Sequence, residues 1–136
     1  MSLSLAARRA RLVAFRTVLD LAGAGSLHLF GGVIVASPET PPDGVALVIV
    51  PLAEVSCEVD PVQAEMTLVP AQGFASSSGL ITWARFMDAN GDAVYDTTAG
   101  PPGSGAQVIV TDGADPPTAN VFVGGEVNVT ATFSEP

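Results

Sequence analysis

Glycine and proline punctuate this chain along most of its length and spare only its beginning. Residues 1–22 contain neither, so all 14 glycines and 11 prolines fall in residues 23–136. A helix interior tolerates Gly poorly and Pro hardly at all. One helix is therefore allowed at the start, and the remainder must be short strands between frequent turns. The 136 residues, 48% of them apolar, can build one core but not two independent ones. That apolar share also excludes an acidic disordered chain.

Residues 4–22 predict a helix, with Ser4 as N-cap and Gly23-Ala24-Gly25 as the stop. Leu5, Leu12, Phe15, Leu19 and Ala22 fall on one stripe about 100° wide. Arg8 lies inside that stripe and Arg11 at its edge. Two readings follow. Either the first turns project past the body and Arg8 snorkels to water, or they dock on an acidic neighbouring subunit. Charge is divided along the chain. Four arginines and one acid lie in residues 1–22, whereas the rest carries Arg85 and thirteen acids, for a net charge of −9. Opposite charge on helix and body favours attraction within one chain or between copies. Arg8, Arg9, Arg11, Leu12, Phe15 and Arg16 on the helix, with Arg85 in the body, are the expected interface residues.

Residues 26–35 read as strand, glycine turn or bulge, and strand. Residues 37–44, with three prolines, form a loop. Residues 45–59 are β-branched and apolar, broken or edged at Pro51. A turn at 60–64 leads into a short strand at 65–69, and 70–78 reads as a small-residue loop. Strands at 79–88 and 93–97 flank Ala89-Asn90-Gly91-Asp92, a strong hairpin signal. Residues 99–105 form a Gly/Pro loop, followed by strands at 106–111 and 118–123. Gly124-Gly125 turns into a strand ending at Phe133. There Val127, Val129, Ala131 and Phe133 face one side, and Asn128, Thr130 and Thr132 the other. The expected fold is mainly β: an antiparallel β-sandwich, jelly-roll or immunoglobulin-like, preceded by one N-terminal α-helix. It forms a single domain over residues 1–136, with a basic helix at 1–22 and a body at 26–136.

The residues offer little chemistry. The acidic balance argues against a nucleic-acid partner. One His and one Cys are too few for a Cys/His metal site, a disulfide framework or an ordinary triad. Asp88, Asn90, Asp92 and Asp96 resemble the start of a calcium loop. Gly91 stands at the fourth position and Ala99 at the twelfth, so the spacing fails and a hairpin turn is the expectation. His28 alternates with Leu27 and Leu29, which puts it on a surface or interface. Cys57, in step with Val55 and Val59, reads as a small buried hydrophobe. Glu54, Glu58, Asp60 and Glu65 read as a solvated acidic face rather than paired catalytic carboxylates. Trp83, Arg85 and Met87 share one face of their strand, with Ala84 and Phe86 on the other. Arg85 is expected exposed or at an interface, with a buried ion pair as the alternative. No catalytic, cofactor-binding or metal-ligating residue is expected, and no enzymatic activity. Arg8 to Arg16 interrupt the apolar positions that a signal peptide would need, and no run has the length and character of a membrane span. Asn128-Val129-Thr130 matches a glycosylation sequon but reads as alternating strand.

Three stretches carry a resemblance. They are Leu5 to Leu12 running into Gly23 to Phe30, the segment GLITWARFMDANGDAVYDTTAG at 79–100, and Val121 to Phe133 with its Gly-Gly turn. Over about half the chain, these resemble small proteins encoded in the structural gene modules of tailed bacteriophages. The resemblance implies a virion component, assembled in the bacterial host cytoplasm and without enzymatic activity. The first expectation is a capsid decoration or cement protein that contacts the major capsid protein, other virion proteins and copies of itself as a homo-oligomer, with no nucleic-acid or membrane contact. A neck, collar or tail-fibre component is the alternative, and a small ligand-binding β-sandwich module the second. The proline-fixed loops at 36–44 and 99–105 are expected to settle on neighbouring capsid proteins.

Overall fold

The structure, a computed structural model, describes residues 4–60, 62–112 and 118–134. Helix α1 spans Leu5–Asp20, and the Ser4 Oγ accepts from the Ala7 amide at 3.1 Å. Eleven strands follow among the described residues. They are β1 (Ser26–Phe30), β2 (Val48–Pro51), β3 (Cys57–Val59), β4 (Glu65–Leu68), β5 (Ala71–Phe74), β6 (Gly79–Leu80), β7 (Trp83–Met87), β8 (Ala93–Gly100), β9 (Val108–Thr111), β10 (Asn120–Val121) and β11 (Glu126–Ser134). The fold is mainly β with one N-terminal helix, as the glycine and proline distribution requires.

One nine-stranded sheet runs in the order β2-β1-β7-β8-β9-β11-β4-β3, with β5 also paired to β11. It curls over on itself, so that its two halves enclose the core in the manner of a sandwich. A bridge between Val48 and Ala75 brings the β2 end of the sheet against β5. The approach is close: a Cβ on Gly73 would lie 2.9 Å from the Ile49 carbonyl oxygen. The sheet is mixed where an antiparallel one was expected, because β8 and β9 pair in parallel through Ala99–Val108 and Gly100–Ile109. Pro101 and Pro102 have no amide hydrogen to continue a hairpin ladder, and the chain loops back into the sheet instead.

β6 and β10 form a separate two-stranded sheet, and a turn in which the Gly125 amide donates to the Phe122 carbonyl at 2.8 Å lies between it and the β5–β11 pairing. Phe74 lies opposite Glu126 in β5–β11, and Leu80 opposite Asn120 in β6–β10, in the same register. Between them the Gly124 amide donates to the Ala75 carbonyl at 2.8 Å, and the Ala75 amide to that of Gly125 at 2.9 Å. The predicted small-residue loop at 70–78 thus contains a strand. Conversely, residues 33–35 are unpaired, and Val33 stands 83% exposed. Gly32, at φ 79°, turns the chain away from β1, which already has β2 and β7 as neighbours. The Asn-Gly hairpin forms as predicted, with Gly91 at φ 84°. β11 alternates buried and exposed residues along its whole length.

The helix closes the core. Leu12 and Leu19 are buried, and the Phe15 ring lies 5.4 Å from Phe133, 5.5 Å from Tyr95 and 5.9 Å from Phe86. Its polar side chains reach the backbone around β3. Arg16 Nη1 donates to the Cys57 carbonyl at 3.4 Å, and Arg9 Nε to that of Asp60 at 3.0 Å. Asp20 Oδ2 accepts from the Ser56 amide at 3.1 Å. The helix, whose first turns were expected either to project past the body or to dock on a neighbouring subunit, is laid on its own body. Two side-chain donors and one acceptor match backbone groups that no strand takes up.

Candidate interaction surfaces

Of the seven residues expected at an interface, Leu12 lies in the chain's own core and Phe15 is packed against it. Arg9 and Arg16 are half-buried in the contacts just given. Arg8, also half-buried, borders a depression with Val62, Gln63 and Glu65, and Arg11 is exposed.

Arg85 is corrected from exposed to buried, at 5% exposure. Its Nε lies 2.7 Å from Asp96 Oδ1 and its Nη2 3.0 Å from Oδ2, the two-pronged geometry that suits a guanidinium and a carboxylate. Nη2 also donates to the carbonyls of Thr40 at 2.8 Å and Ser37 at 3.3 Å. The guanidinium sits 5.5 Å from the Trp83 ring, which stacks on Phe30 at 4.4 Å. The loop bearing Pro38 and Pro41 is therefore tied down on the outer face of β7 and β8. Asp96, taken as a potential calcium ligand, is committed to this pair. Asp88 is committed as well, its Oδ1 accepting the amides of Asn90 at 3.0 Å and Asp92 at 2.9 Å. Among the described residues, no group of three or more His, Cys, Asp or Glu side chains could hold a metal ion.

His28 is half-buried on the face opposite Leu27 and Leu29, as alternation predicts, with Nε2 3.1 Å from Ser26 Oγ. Burial, with the Arg85 guanidinium on the neighbouring strand, holds its pKa below the ordinary imidazole value. The acids named with Glu54 are dispersed. Glu54 and Glu58 are exposed, Glu65 half-buried, and Asp60 Oδ1 accepts the amides of Val62 at 2.7 Å and Gln63 at 2.9 Å. Those two amides hold the Asp60 carboxyl below its usual range.

Cys57 is fully buried, and burial pushes its thiol up from its ordinary value. Val55, expected beside it, is 59% exposed because β3 begins only at Cys57. A buried thiol with a raised pKa supplies little thiolate and no access. Native protein is expected to resist a thiol-reactive disulfide reagent at mildly alkaline pH, with labelling that rises along the denaturant unfolding curve. Full labelling in native buffer at the rate of the unfolded chain would contradict this burial.

Two outer surfaces have no counterpart in the expected list. The first is the solvent side of α1. Ala6, Ala10, Val13, Ala14, Thr17, Val18 and Leu21 are all exposed, with Leu21 at 78%. At about 100° per residue they span roughly 140° of the helix with no charge among them. The signal was present in the sequence as a second, uncharged stripe beside the one that Leu5, Leu12, Phe15 and Leu19 mark. The second lies around β5, β6 and the turn after β10, where Phe74, Leu80 and Phe122 are each more than half exposed. A small crevice of about 140 Å³ lies between helix and sheet, bordered by Arg11, Phe15, Tyr95 and Gln107. No family model, curated protein or solved structure matches this chain.

Proposed function

We propose that this chain is a non-enzymatic structural protein of a phage virion, a decoration or cement protein that stabilises the head through contacts between subunits. The observation that carries the reading is the reversed polarity of α1. Arg9, Arg16 and Asp20 are turned to the body, whereas the exposed side from Ala6 to Leu21 carries no charge. A helix in permanent contact with water carries its charges outward. An uncharged outer face is suited to burial against another protein, here the major capsid protein. Fourteen large apolar side chains are exposed among the described residues, so the body offers further contact area. A protein that binds the assembled lattice better than free subunits shifts the equilibrium toward the intact shell.

Copy counting tests the reading. Gel densitometry of purified virions is expected to find this chain in a number matching the head lattice, in the hundreds. A dozen copies would move it to the neck or tail, and complete absence would sink the virion reading. Val18→Asp, on the exposed side of the helix, is expected to lower occupancy on the particle without unfolding the free protein.

A further inference from the structure

We propose that the segment at 31–40 is an acid-released latch: protonation of His28 places a second positive charge beside Arg85 and frees the segment from the Phe30–Trp83 face it covers. This goes beyond the structural reading above and does not depend on it.

The latch closes a small apolar layer outside the main core. Leu27 and Leu29 of β1 and Ala84 and Phe86 of β7 face that core, so alternation turns His28, Phe30, Trp83 and Arg85 to the outer side of the sheet. An outer face meets water unless something covers it, yet Phe30 is 4% exposed, Trp83 2% and Arg85 5%. The cover is the chain that follows β1. Trp83 Nε1 donates to the Gly31 carbonyl at 3.2 Å and Thr82 Oγ1 to that of Gly32 at 2.6 Å. Arg85 Nη2 donates to the carbonyls of Ser37 and Thr40. Residues 31–40 form neither strand nor helix, so these side-chain donors fasten the segment, and Arg85 alone among them holds its far end.

His28 stands at the margin of this layer. It lies opposite Arg85 in the β1–β7 register, where Cβ atoms on one face come within about 5 Å of each other. Its ring is 6.4 Å from that of Phe30. β2, on its other side, places Ile49 opposite His28 and carries no charge. β7 carries Arg85 alone, and β8 carries Asp96, which Arg85 already engages with both prongs. Glu39 of the latch and Asp92 of the hairpin border the open depression beside Arg85, and both are exposed, as is Asp43. Arg85 is the charge that bears on His28. An imidazolium at this position sets two cations against one buried carboxylate, and like charges directly opposite destabilise a strand pair. The repulsion reaches the latch because the same Nη2 that bonds Asp96 also holds Ser37 and Thr40.

The direction of the response follows. Burial and the guanidinium keep His28 neutral while the latch is closed. The closed state therefore binds the proton less readily than an open one. Its stability is full above about pH 6.5 and declines as the pH falls below that value.

Trp83 is the single tryptophan and lies under the latch, so its fluorescence reads the latch directly. Emission wavelength and acrylamide quenching of the full chain are followed from about pH 8 to about pH 5. The expected result is a reversible red shift with a several-fold rise in quenching, its midpoint below about pH 6.5, while far-ultraviolet circular dichroism stays native. His28→Gln is expected to remove the transition and keep the neutral-pH signal. Proton NMR of the single imidazole gives the midpoint of His28 itself without any substitution, and the two midpoints are expected to coincide. Flat emission down to the lowest pH overturns the proposal, as does a transition that persists in His28→Gln or departs from the imidazole midpoint. Loss of the far-ultraviolet signal in step with the red shift would make the event global unfolding and overturn it as well.

Discussion

Asp96→Ala is expected to destabilise the protein by about 3–5 kcal/mol, because it leaves the Arg85 guanidinium buried and uncompensated. Both side chains are 6% exposed and meet at 2.7 Å, so solvent cannot take over the lost contact. Against the roughly 5–15 kcal/mol of a typical native state, that loss is enough to unfold much of the population on mild heating. Arg85→Met combined with Asp96→Ala is expected to be less harmful than Asp96→Ala alone, since no charge then remains buried. Urea unfolding of the two single variants and the pair measures the coupling. The same arginine holds the carbonyls of Ser37 and Thr40, so Arg85→Met is also expected to open the 36–44 loop to proteolysis. An Asp96→Ala variant with wild-type stability would show the pair to be dispensable.

Removal of α1 is expected to abolish cooperative folding. Leu12, Leu19 and Phe15 fill the core, and three backbone groups around β3 lose their partners with the helix. Leu19→Ala alone is expected to cost about 2–5 kcal/mol, the usual range for a fully buried leucine. Near-ultraviolet circular dichroism and a urea melt of a chain starting at residue 23 provide the check. A truncated chain with native signal and a sharp transition would restore the picture of a separable arm.

Local signals in the sequence were dependable. Ser4 and Gly23 bound the helix, Asn90-Gly91 makes the hairpin, and the alternation from Val127 to Phe133 marks β11. What escaped depends on residues far apart in the chain. Arg16 and Arg9 face inward because the carbonyls of Cys57 and Asp60, 41 and 51 residues away, need donors. Nothing near either arginine announces this. Ala71-Gln72-Gly73-Phe74 lacks the β-branched residues of a strand, and only its register with β11 makes it one. Arg85 was ambiguous for a different reason. Alternation fixed its face of β7 but not what covers that face, and the cover comes from a loop 45 residues earlier.

The ends of the curled sheet carry a consequence for how copies of this chain could meet. A bare strand edge is a template on which another chain can add, and repetition of that step gives aggregates without limit. Here β2 meets β5 at the Val48–Ala75 bridge, and the backbone around β3 is occupied by Arg16, Arg9 and Asp20 of the helix. Strand addition is thereby discouraged at both ends. Association is steered to side chains on faces, where contacts saturate once their complement is found. The many exposed apolar side chains are thus kept apart from the route of unlimited backbone addition at the two ends of this sheet.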